Sequence, residues 1–318
     1  MTEVAVCSAL PGRAEAMLAT RFLIRVHRGP ALTGEDELVG FIGAAAGAVT
    51  LLANPVSRRV LERCPGLRVV GNVAVGYDNV DVAAAAERGV WVTNTPDVLT
   101  EATADLAWAL VLAVTRRLGE AERFLREGRF RGWALDLLLG SGLQGKRIGI
   151  VGYGRIGRAV ARRALAAGME IACSDRQPIG DAVPPAAQLP LDELLATSAV
   201  VSLHAPLDTS TRHLLDERRL RSMPRGAVLV NTSRGPLVDE AALVRVLESG
   251  HLGGAGLDVY EHEPEVHPGL LGRRDVVLLP HVGSATLETR AAMAELAASN
   301  VIAALEGGEP PTPVVRGK

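Results

Sequence analysis

Short apolar runs alternate with amphipathic stretches along most of this chain. Val4–Ser8, Phe22–His27, Ala48–Ala53, Leu67–Asn72 and Val90–Thr93 are runs of four to six residues rich in valine, leucine and alanine. Bounded by polar and turn-forming residues, they read as buried strands. Between them, Arg13–Thr20, Ser57–Arg63, Val82–Arg88 and a segment opening at Thr33-Gly-Glu-Asp-Glu37 read as helices, with Thr33 as the expected N-cap. Strands alternating with helices predict a parallel sheet covered on both faces. Asn94-Thr-Pro96 interrupts the alternation. One long helix is expected from about Thr100 to Arg126, where Leu106, Leu110 and Val114 recur at helical spacing. Residues 128–142 contain glycine and tryptophan and show no period, which suits an arm or a subunit contact.

The alternation then resumes. Arg147–Val151, Met169–Ser174, Ala199–Leu203, Ala227–Asn231, Gly254–Val259 and Val276–Leu279 read as strands. Arg158–Ala167, Leu191–Leu195, Arg218–Arg221 and Glu240–Glu248 read as helices between them. A long amphipathic helix, Leu287–Leu305, and a loop at Gly307–Pro313 follow. The expected fold class is α/β with two Rossmann-like domains and a cleft between them. Residues 1–97 with 287–318 form a flavodoxin-like domain, and residues 98–286 a doubly wound one. The crossings are expected near Asn94–Pro96 and after His281.

Composition narrows the partners. At 318 residues, about two domains are expected. The net charge of −2 provides no basic field for nucleic acid or a membrane surface. The only lysines are Lys146 and Lys318, so nearly all positive charge is arginine. Cys7, Cys64 and Cys173 form no CxxC pair and no metal-ligand spacing, so no metal is expected, and inert core thiols in a reducing cytoplasm are. The early Glu3, with no long apolar run after it, argues against a signal peptide. The longest apolar runs, Phe41–Ala53 and Leu106–Val114, fall short of the ~20 residues of a membrane span.

One stretch carries chemistry by its order. The strand Arg147–Val151 runs into Gly152-x-Gly154-x-x-Gly157 and then a helix. Gly152 allows a tight turn, Gly154 lets the backbone approach a pyrophosphate, and Gly157 lets helix and strand pack closely. The helix N-terminus offers N–H groups and partial positive charge to phosphates. Asp175 ends the next strand, 18 residues past Gly157. That is close to the ~20 expected for a carboxylate on the adenosine ribose. Asp175 would repel a 2′-phosphate and favours NAD(H). Arg176, followed by Gln177-Pro178, would grip that phosphate, so NADP(H) is expected to be accepted too. The two side chains could pair with each other when no phosphate is bound.

Arg234, Glu263 and His281 stand beyond three successive strand ends. Taken singly, each is open to another reading: a solvated turn arginine, a surface acid, a hydrogen-bonded turn histidine. Together, after a dinucleotide site, they suit hydride transfer to a 2-keto acid. His281 would donate a proton to the carbonyl oxygen, and Glu263 would stabilise the imidazolium. Arg234 would polarise the carbonyl and clamp the adjacent carboxylate.

The motifs bear a resemblance over almost the full length. They are Val75-Gly-Tyr-Asp-Asn-Val-Asp81, Gly149-Ile-Val-Gly-Tyr-Gly-Arg-Ile-Gly157, His204-Ala-Pro-Leu207, Val230-Asn-Thr-Ser-Arg-Gly235, Gly256-Leu-Asp-Val-Tyr260 with Glu263-Pro264, and Pro280-His-Val-Gly-Ser-Ala-Thr286. The chain resembles the D-isomer-specific 2-hydroxyacid dehydrogenase family. The resemblance implies Arg234, Glu263 and His281 as the catalytic set, and Val75 and Gly76 as backbone donors to the substrate carboxylate. It implies that Thr103, Arg155, Ile156, Thr232, Asp258 and Ser284 line the cofactor, with His204 and Pro206 of the His204–Leu207 motif, and that the protein is a homodimer through its cofactor domains. The first domain would then bind substrate and the second NAD(P). Asn94–Asp105 and His281–Arg290 are most similar to glyoxylate/hydroxypyruvate reductases. Phosphoglycerate dehydrogenases usually carry arginine where Asn72 stands, phosphite dehydrogenases lysine at Val75, and formate dehydrogenases glutamine at Glu263. The same fold also serves non-enzymatic nucleotide-sensing corepressors, which usually carry extra tails. Trp133 could narrow the pocket from a neighbouring subunit or simply pack.

Overall fold

A computed structural model of the chain describes residues 1–180 and 184–317. Lys318, the expected end of the first domain, and residues 181–183 of the second lie outside the described residues. The chain opens with β1 (Glu3–Val6), α1 (Ala14–Ala19), β2 (Leu23–Val26), α2 (Glu35–Ile42), β3 (Gly47–Thr50), α3 (Arg58–Arg63), β4 (Val69–Asn72), α4 (Val82–Arg88) and β5 (Trp91–Thr93). α5 (Thr100–Thr115) and α6 (Leu118–Arg126) follow. Then come β6 (Arg147–Val151), α7 (Arg155–Ala166), β7 (Glu170–Ser174), β8 (Ala187–Gln188), α8 (Leu191–Thr197), β9 (Val200–Leu203) and α9 (Glu217–Ser222). After β10 (Val228–Asn231) a 3-10 turn, Gly235–Leu237, precedes α10 (Glu240–Glu248), β11 (Gly254–Leu257), α11 (Pro268–Leu271) and β12 (Val276–Leu278). α12 (Leu287–Leu305) and β13 (Pro313–Val315) complete the order.

The chain divides into two compact units, Met1–Leu99 with Ser284–Lys318, and Thr100–Gly283. The first holds a six-stranded sheet in the order β13-β5-β4-β3-β1-β2. All its pairs are parallel except β13 with β5. The parallel part has the flavodoxin order. Its inner strands are apolar on both faces. Val4, Val6, Val49 and Val69 pack under α1 and α12, while Ala5, Ala48, Val70 and Val92 pack under α2, α3 and α4. Two-sided burial is why these strands read as continuous apolar runs. The second unit holds a seven-stranded sheet in the order β12-β11-β10-β9-β6-β7-β8, all parallel. This is the doubly wound order, extended by one strand. Ile148, Ile150, Val200 and Val230 face α5 and α7, and Val201, Leu203, Leu229 and Leu257 face the leucines of α8, α9 and α10.

Several local expectations are corrected. The helix expected over Thr100–Arg126 is two helices. Arg117 takes a left-handed φ of 55° between them, held by Glu120 at 2.8 Å and by the Leu139 carbonyl at 3.2 Å. Gly34, not Thr33, caps α2, and its N–H donates to Glu37 Oε2 at 3.3 Å. α7 begins at Arg155 rather than Arg158. The expected tail loop leads into β13. Buried Asn300 binds Thr312 through Oδ1 and Nδ2, and the Thr312 hydroxyl donates to the Asn94 carbonyl at 2.6 Å. Among the described residues no helix is long and apolar enough to cross a membrane. All three cysteines are buried, and desolvation pushes Cys7 up to about 12 and Cys173 to about 11.

Candidate active site

In the second unit the strand order reverses at β6, which lies between β7 and β9. Open α/β sheets bind ligands beyond the C-terminal strand ends at such a point. Gly152 leaves β6 with φ 91°, and a Cβ there would stand 2.6 Å from the Ala205 nitrogen. A Cβ on Gly157 would meet the Gly152 carbonyl at 2.2 Å. Turn and helix therefore close only because both positions lack side chains. Gly154 caps α7 without any side-chain bond, and nothing lies within 4 Å of where its Cβ would be. No side chain therefore crowds the turn at Gly154, where a helix start offers N–H donors to a phosphate. Exposed Arg155 and half-buried Ile156 begin the helix.

Asp175 sits just beyond β7. Its carboxylate accepts the Tyr153 N–H at 2.7 Å and the Gln177 N–H at 3.0 Å. Arg176 does not pair with it, which corrects the expected pairing. Its guanidinium reaches across to Asp208, at 2.8 Å, while backbone donors engage Asp175. His204 stands at the end of β9 with Nε2 2.8 Å from Ser202 Oγ. Desolvation pushes its pKa down to about 4, so it is a neutral ring at neutral pH. Pro206 is exposed, and its carbonyl accepts the Thr211 hydroxyl at 2.8 Å. Thr232 follows β10. Its buried hydroxyl has no hydrogen-bond partner in the structure, as is also true of Thr95 in the first unit. A buried hydroxyl without a partner is costly, so Thr232 suits a site that a bound group completes. Open space over Gly154, an uncapped helix start, the fixed Asp175 and the orphaned Thr232 together fit a dinucleotide.

β10, β11 and β12 run parallel and in register, so their ends emerge side by side. Arg234 lies just past β10 and is followed by Gly235, where a Cβ would fall 1.8 Å from the Tyr260 carbonyl carbon. The turn therefore lies directly on the backbone leaving β11, and Asn231 Nδ2 secures it by donating to the Arg234 carbonyl at 2.8 Å. Glu263 Oε2 is 2.8 Å from His281 Nδ1, and Glu263 Oε1 accepts the Tyr260 N–H at 3.1 Å. Burial alone would raise the Glu263 pKa. The hydrogen bond and charge of His281, the Tyr260 N–H and the charge of Arg234 outweigh it and hold the carboxyl below its ordinary range.

His281 has a left-handed φ of 53°. Its N–H donates to the Asp258 carbonyl at 2.8 Å, and the Val282 and Gly283 N–H groups donate to the Asp258 carboxylate at 2.8 and 2.7 Å. Asp258 is fully buried, and desolvation raises its pKa against those donors and the His281 charge. It was expected only to line the cofactor; in addition it fixes the segment that carries His281. The signal was an acid inside the apolar run Gly256–Tyr260, since a buried carboxylate needs donors. The Tyr260 hydroxyl adds a bond to the Leu279 carbonyl at 2.8 Å. Buried Thr103 of α5 stands beside Gly283. With Nδ1 on a carboxylate, Nε2 is the nitrogen left to move a proton.

Val75, Gly76 and Ser284 belong to the first unit. Val75 and Gly76 lie in the loop beyond β4. Their carbonyls accept side-chain amides, from Asn94 at 2.9 Å and Asn72 at 3.0 Å. Asn72 is buried and also takes the Thr50 hydroxyl at 3.1 Å.

Comparison with known proteins agrees with this architecture. The model of the D-isomer specific 2-hydroxyacid dehydrogenase NAD binding domain matches residues 108–283. A glyoxylate reductase of Thermococcus litoralis is 43% identical over 308 residues, 95% of this chain and 93% of that protein. A solved structure from Thermus thermophilus has a TM-score of 0.93 at 47% identity, covering 99% of this chain and 100% of the other. An NADPH-dependent glyoxylate/hydroxypyruvate reductase of Sinorhizobium meliloti, solved with NADP and malonate, has a TM-score of 0.88 at 37% identity, covering 100% and 99%.

Proposed function

The chain belongs to the D-isomer specific 2-hydroxyacid dehydrogenase family, and on that premise we propose that it reduces a small 2-keto acid, glyoxylate or hydroxypyruvate, to the D-2-hydroxy acid. The observation that carries the reading is the 2.8 Å contact of His281 Nδ1 with Glu263 Oε2, under the charge of Arg234. A nicotinamide dinucleotide, when bound, supplies the hydride. Gly152, Gly154, Arg155, Ile156 and Gly157 would hold its phosphates and Asp175 its adenosine ribose. Thr103, His204, Pro206, Thr232, Asp258 and Ser284 would line the rest.

Arg234 polarises the substrate carbonyl and orients its carboxylate through a planar fork. His281 delivers the proton to the carbonyl oxygen as charge develops there, and Glu263 keeps the ring oriented. Val75 and Gly76 offer backbone N–H groups to the carboxylate. Residues 73–80 contain no lysine or arginine, and Asn72 is committed to the loop. These features support a small unphosphorylated substrate. NAD(H) is the favoured cofactor, with NADP(H) also accepted, because Asp175 is a fixed carboxylate at the ribose position while Arg176 is bonded to Asp208. Residues 128–142 expose Trp133 at 82% and Leu135 at 80%. Such an apolar arm supports a homodimer, in which Trp133 meets the second copy.

The test is steady-state kinetics of the purified protein with glyoxylate, hydroxypyruvate and 3-phosphohydroxypyruvate, each with NADH and NADPH. The two small acids are expected to give the higher kcat/KM. Preference for the phosphorylated acid would sink the substrate assignment, and no turnover with any would leave the binding-only alternative.

A further inference from the structure

The loops after β7 and β9 meet. β7 and β9 are the two neighbours of β6, so a contact between these loops crosses the sheet edge above the Gly152–Gly157 turn. The contact is the Arg176–Asp208 ion pair. We infer that Asp208 is a specificity-determining residue that withholds Arg176 from a 2′-phosphate. The inference rests on the reading of this unit as a dinucleotide site.

Asp208 is fixed in place. Its Oδ1 accepts the Ser210 N–H at 2.8 Å, the Ser210 hydroxyl at 2.6 Å and the Thr211 N–H at 3.1 Å. The Asp208 N–H donates to Thr211 Oγ1 at 2.8 Å. Oδ2 is the oxygen turned to Arg176. The bonds from Ser210, with Arg176, hold the carboxyl down at about 2, so it is charged at every working pH. Arg176 thus follows one fixed carboxylate, Asp175, and is bonded to a second. A 2′-phosphate would have to displace Asp208 from the guanidinium and settle close to its charge. A ribose hydroxyl needs neither change and can bind Asp175 directly.

Asp208→Asn keeps the acceptor for Ser210 and Thr211 but removes the charge. Adenosine 2′,5′-bisphosphate and 5′-AMP differ only by the 2′-phosphate, so their ratio of dissociation constants reads this subsite alone. Titration calorimetry on the wild type, Asp208→Asn, Arg176→Ala and the double variant forms the cycle, with Asp208→Ser as a second removal of the charge. In Asp208→Asn the ratio should shift toward the bisphosphate by roughly fivefold, the upper end of what one exposed ion pair is worth. In the Arg176→Ala background the same substitution should shift it little. An unmoved ratio in both Asp208 variants, with 5′-AMP and NADH still bound by the wild type, overturns the inference alone. An equal shift with and without Arg176 also overturns it, because Asp208 would then act as a bare repelling charge. A wild type that binds neither nucleotide nor NADH overturns the dinucleotide site itself, and the inference with it.

Discussion

At Arg234 the shape of the cation matters as much as its charge. A guanidinium presents two parallel N–H donors, whereas lysine is a point charge on a flexible stem. Arg234→Lys should therefore raise KM for the keto acid and lower kcat, with little change in NADH affinity. Wild-type kinetics in that variant would remove Arg234 from the site. His281→Ala should lower the rate of reduction by roughly 10²–10⁴-fold, the usual worth of a positioned general acid. Glu263 carries the pH dependence. Its carboxyl lies below its ordinary 4.5 in the folded protein, so its stabilising charge is fully present above that pH and is lost only as pH falls toward the depressed value. Throughout the range above 4.5, the wild type keeps an anion beside the His281 ring and Glu263→Gln does not. The alkaline fall-off of kcat/KM for reduction should move to lower pH in that variant. An unchanged profile would count against the pair.

Among the elements, the turn at Arg234–Leu237 is the most sharply constrained. Gly235 has no room for a side chain, since even a Cβ would overlap the Tyr260 backbone at 1.8 Å. Gly235→Ala must push the turn off β11 and carry Arg234 with it. Overpacking of this kind costs about 1–3 kcal/mol or more. We expect a lower melting temperature together with a loss of kcat larger than the loss of folded protein accounts for. A variant with wild-type kcat would show that the turn moves without moving Arg234. The break between α5 and α6 illustrates the opposite difficulty. Arg116-Arg117 are good helix formers, so local propensity continues the helix. The break coincides with contacts from far along the chain: the Ser141 N–H donates to the Thr115 carbonyl at 2.8 Å, and the Arg117 guanidinium reaches the Leu139 carbonyl, 22 residues away.

For the whole molecule, the expected consequence of the exposed arm is assembly. α6 buries none of its residues, and Leu125 and Leu139 are over 60% exposed, as are Trp133 and Leu135. Large exposed apolar side chains gathered in one stretch of chain suit an interaction site. The wild type should run as a dimer in light scattering after gel filtration, and Leu135→Asp with Trp133→Ser should shift it toward monomer. A wild-type monomer at micromolar concentration would refute the assembly.

Much of this was readable along the chain because its physics is local. Apolar runs buried on both faces, helical periods between them and glycines at fixed spacing announced two α/β units and the strand–turn–helix at Gly152–Gly157. The motifs likewise singled out Arg234, Glu263 and His281 at the ends of β10, β11 and β12. Contacts between distant residues decided the rest. Asp208, on the loop after β9, holds Arg176, while the Tyr153 and Gln177 N–H groups bind Asp175. Asp258 fixes the His281 segment from just beyond β11, and Asn300 ties down a proline-rich tail that leads into an edge strand. Hydrophobic period and propensity report which side of an element is buried. They carry no record of which donor, far along the chain, reaches a given carboxylate first, and that choice is made only when the packed strands bring the loops together.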